Sequence, residues 1–95
     1  MFQRVLVKMR ERVRDGRLTI PTHAFQAMLD DALMPSDLKH CLLHGTITER
    51  QWDEKWSEWK YVVAGETTDG RALEFVAKLG TDDTVVITVY LSFQF

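Results

Sequence analysis

Thr84-Val85-Val86-Ile87-Thr88-Val89-Tyr90-Leu91-Ser92-Phe93-Gln94-Phe95 ends the chain, and its alternation decides the fold class. Val85, Ile87, Val89, Leu91, Phe93 and Phe95 are apolar. Between them stand Thr84, Thr88, Tyr90, Ser92 and Gln94, with Val86 the one exception. A two-residue period is that of a strand with one face in a core and the other in water. The same period recurs upstream, where Leu73, Phe75 and Ala77 alternate with Glu74, Val76 and Lys78, and Trp59, Tyr61 and Val63 with Lys60, Val62 and Ala64. Thr67-Thr68-Asp69-Gly70 joins these two runs, and Asp-Gly is a strong hairpin signal.

Toward the N-terminus the period changes to that of helices. Phe2, Val5, Leu6, Met9 and Val13 recur at steps of three and four, with Arg4, Lys8, Arg10, Arg12 and Arg14 mostly off that stripe. Asp15-Gly16 is a plausible stop, and a short extended piece, Leu18 to Ile20, follows. Thr22 stands in an N-cap position after Pro21, so a second helix is expected over about His23 to Leu33, its inner face Ala24, Phe25, Met28, Leu29, Ala32 and Leu33. A third begins at Pro35, because proline suits the first helical position. Leu38, Cys41 and Leu42 line its inner face, and Gly45 ends it.

Ile47 to Trp52 reads as the first sheet strand, followed by a charged loop, Asp53-Glu54-Lys55. Trp52, Trp56 and Trp59, at steps of four and three, would equally suit a helix. The strand is preferred because the hairpins downstream need an antiparallel neighbour. The expectation is an α+β domain over residues 1–95, with two or three N-terminal helices packed on one face of a four-stranded antiparallel sheet.

Bulk properties narrow the function classes. Ninety-five residues that are 45% hydrophobic and 27% charged suffice for one core and no second. One cysteine excludes an intrachain disulfide and a cysteine-based metal cage. The first residues are neither a signal peptide nor a membrane span, so a cytoplasmic protein that avoids membranes is expected. The net charge of −2 conceals an asymmetry: residues 1–17 hold six Lys or Arg against two acids, and the rest six against twelve. A basic segment on an acidic body can meet nucleic acid or an acidic partner, or simply be a solvated helix face.

Metal signatures, phosphate-cradling glycine loops and nucleophile elbows are lacking, so the candidates are single residues and no cofactor is expected. His23, at a helix start, is placed where the dipole disfavours imidazolium and an anion would be welcome. His40 and His44 lie four apart without a third ligand, and Cys41 reads as a buried, inert thiol. The tryptophans read as core or interface, or as surfaces for stacked bases. If alternation holds, Lys60, Glu74, Lys78, Thr88 and Tyr90 project from the face opposite the helices, with Arg71 beside the turn. Such a face could hold a phosphodiester on its cations while Tyr90 or His23 moves a proton and a ribose 2′-hydroxyl attacks. An ordinary solvated sheet face has the same pattern.

Several of these residues together resemble a known family. Ile20-Pro21-Thr22-His23-Ala24 with Met28, Leu33 leading into Pro35 to Leu43, Gly45 with Thr46-Ile47, Tyr61 to Gly65, Asp69-Gly70-Arg71 and Val86 to Tyr90 resemble domain of unknown function 4258, over about residues 18–91. That family is similar to RelE-like and barnase-like ribonuclease toxins, and its members look like the toxin half of a bacterial toxin–antitoxin pair, akin to MqsR. The resemblance implies a RelE-like fold and a metal-independent endoribonuclease. His23 and Tyr90 would be catalytic, Lys60, Arg71, Thr88 and Glu74 would bind substrate, and RNA and a cognate antitoxin protein would be partners. Homo-oligomers are compatible with it. Family members tend to carry Arg on the His-bearing helix where this chain has Ala27 and Asp31, a change that weakens phosphate binding and allows binding without cleavage. The alternative is a non-catalytic interaction module docking a partner through its basic first helix or its sheet edge.

Overall fold

The stripe Leu6, Met9 and Val13 is buried along α1, Gln3–Arg14, with Phe2 and Val5 partly buried beside it. The computed structural model describes residues 1–91; Ser92, Phe93, Gln94 and Phe95, assigned above to the last strand, lie outside them. α1 is followed by β1 (Leu18–Thr19), α2 (Thr22–Asp30), α3 (Pro35–His44), β2 (Thr46–Asp53), β3 (Glu58–Glu66), β4 (Ala72–Leu79) and β5 (Thr84–Leu91). α2 lies over β5, α3 over β3, and α1 against α3 and β5. The helices share one core with Tyr61, Val63, Leu73, Phe75, Ala77, Val86 and Val89 of the sheet.

Helix boundaries bring two corrections. Thr22 is the first residue of α2 and His23 the second, while Pro21, extended at φ −61° and ψ 155°, occupies the cap without a side-chain hydrogen bond. α2 also stops at Asp30, short of Leu33, and its expected inner residues Phe25 and Leu29 are exposed. α3 starts at Pro35 as expected. Arg10 of α1 donates through Nε to the Leu42 carbonyl and through Nη2 to that of Gly45, both 2.9 Å, satisfying carbonyls that the end of α3 leaves unpaired. A Cβ on Gly45 would meet the Ala64 carbonyl oxygen at 2.3 Å, so this glycine lets the helix end abut β3.

The sheet has five strands in the order β1-β5-β4-β3-β2, not four, and it is mixed. β1 pairs in parallel with β5, Leu18 opposite Thr84 and Thr19 opposite Val85. The other neighbours are antiparallel. The tryptophan-rich stretch is a strand through Asp53, followed by a turn into β3.

β5 departs from its simple alternation. Ala77 pairs with Val86 and Val76 with Thr88, so Ile87 is an extra residue, a β-bulge. Across a bulge the inward phase shifts by one. Thr84 and Val86 are therefore fully buried before it and Val89 after it, while Val85 and Ile87 are only partly buried. Thr84, expected in water, holds its hydroxyl 3.5 Å from the Met9 carbonyl. Val86 was the exception to the pattern because it is a core residue.

Two reciprocal links fasten the helix layer to the β3–β4 turn. Asp37 of α3, 4% exposed, accepts from the Met34 N–H, the Thr68 N–H and the Thr68 hydroxyl, each at 2.9 Å. Burial alone would raise its carboxyl; these hydrogen bonds and the Arg71 charge outweigh that and hold it below its ordinary 3.8. A depressed folded-state pKa stabilises the fold above the unfolded value and ceases to do so as pH falls through the folded one. Asp37→Asn is therefore expected to lower neutral-pH stability by about 2 kcal/mol and to flatten the acid limb below about pH 4, measured by urea unfolding across pH. An unchanged acid limb would show that Asp37 is not the titrating link.

Candidate functional site

Cross-strand partners share a face, so the pairing register fixes which side chains project away from the helices. They are Glu49, Gln51 and Asp53 of β2, Glu58, Lys60, Val62, Ala64 and Glu66 of β3, Glu74, Val76 and Lys78 of β4, and Val85, Thr88 and Tyr90 of β5. Lys60, Glu74, Thr88 and Tyr90 thus lie on the open face as expected. The charge of that face is the reverse of what a phosphate needs. Glu49, Asp53, Glu58, Glu66 and Glu74 outnumber Lys60 and Lys78, and both lysines are engaged: Lys60 Nζ is 3.6 Å from Asp53 Oδ2, and Lys78 Nζ is 2.6 Å from Glu58 Oε2.

Tyr90 and Glu74 are direct cross-strand partners. A hydrogen-bonding contact with the Glu74 carboxylate, then partial burial, then the charges of Glu74 and Glu49, all push the phenol above its ordinary 10.0. Cross-strand pairing sets the phenol on the same face beside the carboxylate, and a phenol and a carboxylate so placed are residue types that can move a proton. Thr88 is exposed two residues away on the same strand.

His23 and Arg71 do not join them. His23 Nε2 is 3.2 Å from the carbonyl of Ile87, the bulged residue on the side of β5 that α2 covers. A carbonyl only accepts, so Nε2 is the donor in this contact. Arg71 donates through Nη1 to the Asp31 carbonyl at 3.0 Å, through Nη2 to that of Ala32 at 3.1 Å and through Nε to Asp69 at 3.2 Å. The reason lies at the end of α2. Leu33 N–H bonds the Met28 carbonyl and Ala32 N–H that of Leu29, a Schellman stop in which Ala32 sits at φ 54°. Glycine is the usual residue there; alanine costs about 1 kcal/mol. Arg71 anchors the two carbonyls of that strained turn to the sheet.

The other singled-out residues resolve simply. Cys41 is fully buried, and burial, with the Glu74 charge second, pushes its thiol up to about 12, so it is an inert thiol. His40 and His44 lie with ring centroids 4.6 Å apart, and among the described residues no group of three metal-ligating side chains gathers. Trp52, Trp56 and Trp59 are not core: they are 49%, 66% and 38% exposed. Among the described residues no helix is long and apolar enough to cross a membrane.

Residues 20–91 match the model of the family described as a domain of unknown function, DUF4258. The chain belongs to the DUF4258 family. No curated protein and no solved structure gives a significant match. Within the matched span several residues have visible physical roles: Gly45 and Gly65 let α3 approach β3, and Asp69-Gly70-Arg71 forms the turn that clamps the α2–α3 connection, Gly70 at φ 86°.

Two measurements separate these roles. Arg71→Ala is expected to lose about 1–2 kcal/mol of stability, and Ala32→Gly to recover part of it by relieving the positive φ; failure of the glycine to stabilise either background would contradict the clamp. The Tyr90 phenol, followed by NMR, is expected to titrate above 10.0 and to move down in Glu74→Gln.

Proposed function

We propose that this chain is a RelE-like, toxin-related domain of a bacterial toxin–antitoxin pair that acts by binding and has lost the phosphate-holding half of a ribonuclease site. The observation that carries this reading is the engagement of the cations such a site would use. Lys60 is bound to Asp53, Lys78 to Glu58, and Arg71 to Asp69 and two backbone carbonyls. Stabilising a phosphoryl transition state needs donors already aimed at the developing charge. Here each cation must first break its own contacts, and on the open face that holds Lys60 and Lys78 five carboxylates outnumber the two lysines. Ala27 and Asp31, where family members tend to carry Arg, act in the same direction.

Binding of a protein partner of the antitoxin class is supported by the outer face of α2. Phe25 and Leu29, four residues apart, are 37% and 54% exposed, and Met34 beyond them 57%. Exposed large apolar side chains grouped on one helix mark interaction surfaces.

A second reading, an active metal-independent endoribonuclease, is favoured by the Glu74–Tyr90 pair. Glu74 would take the proton of a 2′-hydroxyl as its oxygen attacks the phosphorus, and the phenol, kept protonated, would give its proton to the 5′-oxygen as the P–O5′ bond breaks, leaving a 2′,3′-cyclic phosphate.

Incubation of the purified protein with single-stranded RNA and with ribosomes, in chelator, decides between them. The binding reading predicts intact RNA at high protein concentration and a stable complex when the protein is expressed with the product of the adjacent reading frame. Cleavage that disappears in Tyr90→Phe and Glu74→Gln, both still folded, would overturn it in favour of the nuclease.

A further inference from the structure

The helix layer stops short of one end of the sheet. Tyr61 is 8% exposed and packs edge-on against Phe2 at 6.0 Å between centroids; there the cover of α1 ends. Arg50 pairs with Tyr61 and Trp52 with Trp59, so these residues face the helix side as well, yet all three beyond Tyr61 are exposed. The rings of Trp52 and Trp59 meet edge to face at 5.0 Å, and the Arg50 guanidinium lies 4.0 Å over the Trp59 ring. In the adjoining turn the Lys55 ammonium stands 5.5 Å over Trp56. A cleft of about 440 Å³ separates this ledge from the start of α1 and is lined by Phe2, Arg4, Arg50 and Tyr61, among others.

Two features specify the occupant. The first is the interleaving of cations with aromatic faces, Arg4, Arg50 and Lys55 with Trp52, Trp56 and Trp59, in place of a continuous apolar groove. The second is charge segregation: Glu49, Asp53, Glu58 and Glu66 of the same hairpin point to the opposite face, where Asp53 holds Lys60 and Glu58 holds Lys78, which leaves Glu54 as the one acid of the turn beside Lys55. A polyanion is therefore drawn to the ledge and repelled by the open face. Flat rings that accept any base, set beside cations that accept its backbone, are what single-stranded nucleic acid requires.

We propose that this ledge binds single-stranded nucleic acid, with bases stacked on Trp52 and Trp59 and phosphates held by Arg50, Arg4 and Lys55. The site is separate from the Glu74–Tyr90 pair and from the α2 surface, and it stands whether or not the protein cleaves RNA or binds an antitoxin.

The chain's three tryptophans all lie in this hairpin, so intrinsic fluorescence reports on the ledge alone. Titration with an oligouridylate of about ten nucleotides is expected to quench that fluorescence saturably, with log K falling against log salt at a slope of about −2 for three phosphate contacts. Trp52→Ala and Trp59→Ala are each expected to weaken binding by about 5- to 100-fold, while Trp59→Phe retains most of it and Lys39→Ala, at an exposed position of α3, leaves it unchanged. Arg50→Ala is expected to make the salt slope about 0.7 shallower. Thermal unfolding of each variant checks that it is folded. Absence of saturable quenching, affinity unaffected by both alanine variants, or equally tight binding of polyglutamate would overturn the proposal.

Discussion

The junction between the α2–α3 connection and the β3–β4 turn organises this molecule. Arg71 reaches from the turn to the carbonyls of Asp31 and Ala32, and Asp37 reaches back from α3 to the N–H and hydroxyl of Thr68. Each of these two side-chain links is expected to contribute on the order of 1–2 kcal/mol, a sizeable share of the stability of a small domain. With the junction fixed, α3 comes down on β3 closely enough to need glycine at 45, and α2 lies along β5 with His23 against the bulge.

The two faces of the sheet then acquire opposite character. On the open face, carboxylates outnumber and pair the lysines, leaving Glu74 and Tyr90 as a proton-handling pair with little to hold a phosphate. On the helix side, the β2–β3 end remains bare and presents cations among tryptophan rings. The surfaces proposed to bind, the ledge and the outer side of α2, lie away from Glu74 and Tyr90 on the open face.

Much of this was legible in the chain. The stripes of α1 and α3, the proline opening α3, the Asp-Gly hairpin and the outward direction of Thr88 and Tyr90 follow from local periodicity and turn chemistry. Ile87 was not legible, because a bulge shifts phase without changing composition, and Val86 was its only trace. The pairing of β1 with β5 escaped notice because two residues give no period. The ion pairs of Lys60 and Lys78, and the clamp formed by Arg71, depend on which strands are neighbours, and that is a tertiary fact. The tryptophans read by type as core or interface, or as stacking surfaces, and type alone does not choose; they are exposed because they sit where the helix layer has already ended.

The account assigns opposite roles to two arginines, Arg71 as a structural clamp and Arg50 as a ligand-facing cation, and one measurement tests both. NMR of the arginine side-chain Nε–H groups, recorded while a short single-stranded RNA is added, should move the Arg50 signal and leave that of Arg71 in place. Movement of Arg71 with Arg50 unchanged would contradict the account and return the phosphate site to the β3–β4 turn.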